Sequence, residues 1–128
     1  MTWQVYAVIA LVALSVMTVP TVFAVDPKTT VKKPIKEFTI EISKGTATNT
    51  KCEDKCYTPS KLTVPVDSKV TWKNTDKTMH MASSLKGKFD AGMINSGKSS
   101  TVKFDKTGTF DYICTVHPWM KGSIIVKK

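Results

Sequence analysis

Three side chains that can donate to a metal stand at equal intervals near the end of the chain. In the run DYICTVHPWMKG, Asp111 to Gly122, they are Cys114, His117 and Met120. Thiolate, imidazole and thioether make a soft donor set, suited to a transition metal rather than to magnesium or calcium. Each residue has an ordinary use when it stands alone: a buried cysteine is a small hydrophobe, and methionine fills gaps in cores. Three of them on one short loop, stiffened by Pro118, converge on one point. One cysteine and two histidines in a trigonal set, with a weak axial methionine, is the arrangement of blue-copper centres. The loop supplies one histidine and the chain holds two, so the other ligand is His80, in KTMHMASS. Zinc also takes cysteine and histidine, but a thioether suits copper better.

The surrounding chain reads as strands. EFTIEIS alternates Phe38, Ile40 and Ile42 with polar neighbours, a period of two. KLTVPV alternates Leu62, Val64 and Val66, and Pro65 marks it as an edge strand or a bulge. KVTWKN puts Val70 and Trp72 on one face, STVKF offers Val102 and Phe104, and GSIIVKK closes the chain. In TFDYIC the residues Phe110, Tyr112 and Cys114 share a face, so a core Phe110 implies an inward Cys114 at the strand end. Gly122 is expected to let the chain turn into the last strand. After Val25 no segment has a helical period. Many short strands with polar turns predict an all-β antiparallel sandwich or barrel.

These residues together resemble the cupredoxins, the mononuclear type 1 copper proteins. The likeness rests on MHMASS, on YICTVHPWM some way after it, on the closing GSIIV, and on YTPSKLTVPVDSKVTWKN and FDKTGTFDYIC. It covers nearly everything from Ile35 onward and is similar to the amicyanin, plastocyanin and pseudoazurin group. The equal Cys-x-x-His-x-x-Met spacing most resembles amicyanin. The resemblance implies a Greek-key β-sandwich of about eight strands. It also implies one copper ion per chain, held by His80, Cys114, His117 and Met120 and cycling between Cu(I) and Cu(II). By the same resemblance His117 is where electrons enter and leave, and Met79, Met93, Pro118 and Trp119 are read as an apolar docking patch around it. Family members commonly carry asparagine after the first histidine, where it ties the two ligand loops together. Here that position is Met81, and the tie is expected from Ser83 or Ser84, or is absent.

Residues 1–24 read as a signal peptide or an N-terminal membrane anchor, 25–34 as a linker, and 35–128 as the copper-binding domain. Val5 to Val19 is apolar, and Val22-Phe23-Ala24 suits signal cleavage. The uncharged stretch 3–25 is also long enough to span a bilayer. Either way the domain is exported, to the periplasm, the exterior or the outer face of the cytoplasmic membrane. Cys52 and Cys56 then most simply form a disulfide, with copper handling as the rival reading. The segment Lys44 to Cys56 is an enlarged first connection, expected at the copper end.

The net charge is +9 and every basic residue is lysine. Without arginine the chain lacks the favoured tool for reading nucleic acid. Scattered lysines suit a redox partner acidic at its docking face, met by a monomer. With two histidines, both used, none remains for the second copper site of nitrite reductases or multicopper oxidases. The expected function is therefore one-electron transfer rather than catalysis. The alternative is small-molecule redox chemistry at an open type 1 copper, such as oxidation of nitric oxide to nitrite.

Overall fold

The alternating runs become strands because one face of each finds the other sheet. In the computed structural model, which describes residues 32–128 and apart from them Ser15 alone, two sheets enclose one core. The first is ordered β2-β1-β4-β7, and the second β3-β9-β8-β5-β6. Apart from Ser15, the 3–25 segment, read from sequence as signal or anchor, lies outside the described residues. Within them no helix is long and apolar enough to cross a membrane.

The first sheet is built on β1 (Glu37–Ile42) and β4 (Ser68–Asn74), which run parallel in continuous register. Ile40, Ile42, Val70 and Trp72 have no exposure, and burial of such side chains is worth about 1.5–3 kcal/mol each. β2 (Tyr57–Thr58) and β7 (Ser99–Phe104) flank them. The second sheet holds β3 (Lys61–Pro65), β5 (His80–Ser84), β6 (Asp90–Ile94), β8 (Gly108–Ile113) and β9 (Lys121–Lys127). β3 is an edge strand, as Pro65 requires, since a proline has no N–H for a second neighbour. The nine strands form the all-β, cupredoxin-like sandwich. The count exceeds eight through β2, a two-residue strand held against the end of β1.

Gly122 has a different use from the turn expected of it. It lies inside β9 and faces Tyr112 across the β8/β9 pair. A side chain there would run into the Tyr112 ring and hydroxyl. That ring cannot retreat, because Tyr57, Trp72 and Phe89 surround it at centroid distances of 4.9, 5.4 and 5.9 Å. The absent Cβ thus makes room for the aromatic layer around Tyr112.

Candidate metal centre

The three-residue spacing on the ligand loop has a backbone cause. The His117 N–H donates to the Cys114 carbonyl at 3.2 Å, the Met120 N–H to the His117 carbonyl at 2.9 Å, and the Cys114 N–H to the Met120 carbonyl at 3.1 Å. Two successive turns, each closing over three residues, and one return bond make a ring of backbone bonds through the three residues. The main chain itself ties the loop together. Cys114 and Met120 are fully buried, while His117 is half-buried.

His80 reaches this loop from the start of β5, side chain inward and without exposure. His80, Cys114 and His117 each turn a donor atom to a common centre, all within 4.8 Å of one another. Cys114 Sγ lies 3.9 Å from His80 Nδ1 and 3.6 Å from His117 Nδ1. Ordinary metal–sulfur and metal–nitrogen bonds at 120° put such atoms about 3.7 Å apart, so the trio fits a trigonal metal as it stands.

A buried carboxylate orients His80. Asp76 Oδ2 lies 2.7 Å from His80 Nε2, which selects the tautomer with the proton on Nε2 and leaves the Nδ1 lone pair facing Cys114. Asp76 also accepts the N–H groups of Gly45 at 2.9 Å, Lys77 at 2.8 Å and Ala47 at 3.4 Å. Burial opposes its ionisation, but the bonds from Gly45, His80, Lys77 and Ala47 outweigh burial and lower its pKa to about 2. The same balance acts on Cys114. Burial opposes the thiolate, yet His80 and the N–H groups of Met81, His117 and Val116 bring its pKa below the usual value. Burial and the neighbouring His80 charge lower the pKa of His117 and favour a neutral imidazole with a free lone pair. The shifts on Cys114 and His117 favour the forms that bind a metal, whereas at His80 burial is outweighed by the Cys114 and Asp76 interactions, which raise its pKa.

The bond between the two ligand segments comes from Met81, and neither Ser83 nor Ser84 supplies it. The Met81 N–H donates to Cys114 Sγ at 3.3 Å, and the Thr115 hydroxyl to Met81 Sδ at 2.8 Å. The Tyr57 hydroxyl holds the Met81 carbonyl at 2.5 Å. Ser83 bonds Asp90, and Ser84 accepts the Lys86 N–H. Ser83 stands opposite Ile113, beside Cys114, but both hydroxyls are engaged away from the loop.

The connection from Lys44 to Cys56 does lie at this end. Thr46 packs within 3.5 Å of His80 Nε2, and its carbonyl accepts the Trp119 indole N–H at 2.9 Å. Cys52 and Cys56 form a disulfide around the 3-10 turn Glu53–Lys55. Among the residues read as a docking patch, Met93 and Pro118 are exposed, and Met79 and Trp119 are half-buried. The Trp119 ring packs 5.3 Å from that of His117. Sequence reasoning missed Asp76, Thr46 and Tyr57. Only Asp76 carried a signal, an acid four residues before a ligand histidine in a turn-rich segment.

Comparison with known proteins agrees with this geometry. Residues 7–126 match the family described as the cupredoxin-like domain. Amicyanin-alpha of Methylorubrum extorquens is 37% identical over 78 residues, 57% of this chain and 65% of that protein. Amicyanin of Paracoccus denitrificans is 30% identical over 76 residues, 56% of this chain and 58% of its own. The match thus spans less than two thirds of the length of these curated relatives. Among solved structures, a purple cupredoxin from Nitrosopumilus maritimus superposes with a TM-score of 0.61 at 31% identity, over 70% of this chain and 98% of that one. An oxidized single-residue mutant of amicyanin gives 0.57 at 25% identity, over 70% and 81%. By its two-sheet fold, its His–Cys–His cluster and a family match over nearly its whole length, this chain belongs to the cupredoxins, a family that binds copper.

Proposed function

We propose that the protein is a one-electron carrier working outside the cytoplasm, with one copper ion held by His80, Cys114, His117 and Met120. The observation that supports it most is the trio of donor atoms at trigonal spacing, two of them on a loop closed by its own backbone. A bound copper ion supplies a Cu(I)/Cu(II) couple. The chain's part is to keep the ligands still in both states, since rearrangement slows transfer. Asp76 holds one imidazole, the Met81 N–H steadies the sulfur, and the backbone ring holds the loop. Burial of Cys114 and Met120 excludes water from the sulfur ligands.

His117 is the half-exposed ligand and the proposed electron port. The apolar rim formed by Met79, Met93, Pro118 and Trp119 is the proposed contact for a partner protein. Exposed Lys44, Lys77 and Lys121 adjoin Gly45, Asp76 and Met120 of this end. They suit a partner with an acidic face, steered at low salt. The fully buried Met120 favours a closed site, and with it electron transfer over nitric oxide oxidation at an open copper.

The test is the optical spectrum of the copper-loaded protein. An intense thiolate-to-copper band is expected and should vanish in Cys114→Ser. One solved relative is a purple cupredoxin, so the band position must be measured rather than taken as blue. Azide should leave the spectrum of the oxidised protein unchanged. A saturable azide shift, or turnover of nitric oxide to nitrite, would favour the enzymatic reading.

A further inference from the structure

Four methionines fall within the described residues, and only Met120 belongs to the inner site. Of the other three, Met81 lies on β5, Met93 on the neighbouring β6, and Met79 just before β5. Met79 and Met81 flank His80 in the chain. His80 points into the sandwich without exposure, so alternation along β5 sets Met81 on the other face, where it is half-buried; Met79, also half-buried, stands one residue before the strand. Met93 is the direct partner of Met81 in the β5/β6 pair, which sets their side chains on one face about 5 Å apart at Cβ. Met93 is 68% exposed, more than any other large apolar side chain among the described residues. The Met81 sulfur is anchored by the Thr115 hydroxyl at 2.8 Å, and one lone pair of that sulfur remains free.

Thioethers are neutral, soft donors. They bind Cu(I) and discriminate against hard divalent ions. We infer that Met79, Met81 and Met93 form a second metal site, an outer thioether site for Cu(I). Binding there does not depend on what the inner residues hold. A further role as a loading station does rest on the copper reading of the inner site. The Met81 N–H bonds Cys114 Sγ at 3.3 Å, so the two sites meet at one residue. Transfer inward exchanges thioether donors for the Cys114 thiolate. The thiol proton leaves to solvent, and Cu(I) keeps its oxidation state.

The experiment is an anaerobic Cu(I) titration of the full chain against bicinchoninate as competing chelator. The unmodified protein should take up two equivalents. Met93→Leu, at an exposed position where folding is not at stake, should weaken the second by more than tenfold. Leucine at all three positions should abolish it and slow Cu(I) loading of the inner site. Leucine preserves the apolar surface, so a patch serving only for protein contact would show none of these effects. In Cys114→Ser, Ag(I) should shift the ε-methyl signals of Met79, Met81 and Met93 in a spectrum of methyl-labelled protein. An outer equivalent that persists without an inner one would support this site and overturn the copper reading of the other. A single equivalent in the unmodified protein, or a second one unmoved by the leucines, would overturn the thioether site.

Discussion

Replacing Asp76 by asparagine should separate the folding role of the carboxylate from its role toward the metal. The side chain is nearly isosteric, but one oxygen becomes an amide that donates. Asp76 accepts from Gly45, Lys77, Ala47 and His80 in the native chain. Its pKa falls from 3.8 to about 2 on folding, which corresponds to about 2 kcal/mol of stability at neutral pH. The folded value is the depressed one, so this contribution is complete above about pH 4 and is lost as pH falls toward 2. Urea unfolding of the metal-free proteins should show Asp76→Asn less stable by about 2 kcal/mol at pH 7. The gap should narrow steadily below pH 4. His80, whose pKa burial lowers but the Cys114 and Asp76 interactions raise on balance, stays protonated in both states across that range and does not interfere. In the loaded protein the same change frees Nε2 of its acceptor and should lower copper affinity about 10–100-fold, read by chelator competition. A variant as stable as the parent at neutral pH, or a gap that stays constant into acid, would refute the reasoning.

Gly122→Ala should cost about 1–3 kcal/mol, because the added methyl enters the Tyr112 ring; thermal and urea unfolding of the metal-free variant measure it. Opening the Cys52–Cys56 bridge with serine at both positions should cost about 2 kcal/mol by the loop-entropy estimate, while the copper spectrum keeps its band. A lost band would mean that the disulfide shapes the metal site itself. Trp119→Phe keeps a ring against His117 but removes the indole donor to the Thr46 carbonyl; a loss of about 1 kcal/mol is expected, together with faster hydrogen exchange in the 43–56 connection.

Much of this molecule could be read from its sequence where one physical cause dominates. β1, β3, β4, β7 and β8 show alternation, because each turns one face to the core, while β9 shows a continuous apolar run. β5 and β6 do not. HMASS has no β-branched residue, and DAGMI carries Gly92 in a left-handed conformation at φ 69°. Their strand state comes from neighbours: β5 is paired on both sides, and β6 adds to its edge. The cluster of His80, Cys114 and His117 was legible because such donors are scarce in this chain and two of them are closely spaced. Their supports were not, since Asp76, Thr46 and Tyr57 are common residue types whose partners lie 4, 34 and 24 positions away. The Met81 N–H that bonds the cysteine is a backbone group, which no side-chain pattern can announce.

That bond also explains how the site tolerates methionine after His80. What the two ligand segments require is a donor at the Cys114 sulfur and a fixed separation between β5 and the loop. The main chain meets the first need whatever side chain follows His80. The second is met from three directions: Tyr57 on the Met81 carbonyl, Thr115 on the Met81 sulfur, and the backbone ring that fixes the loop itself. The side chain at this position is therefore not needed as the donor, and it stands beside Met93 with its sulfur on Thr115. A substitution that looks like a lost constraint when the sequence is read alone becomes, in the fold, a second contact between β5 and the loop.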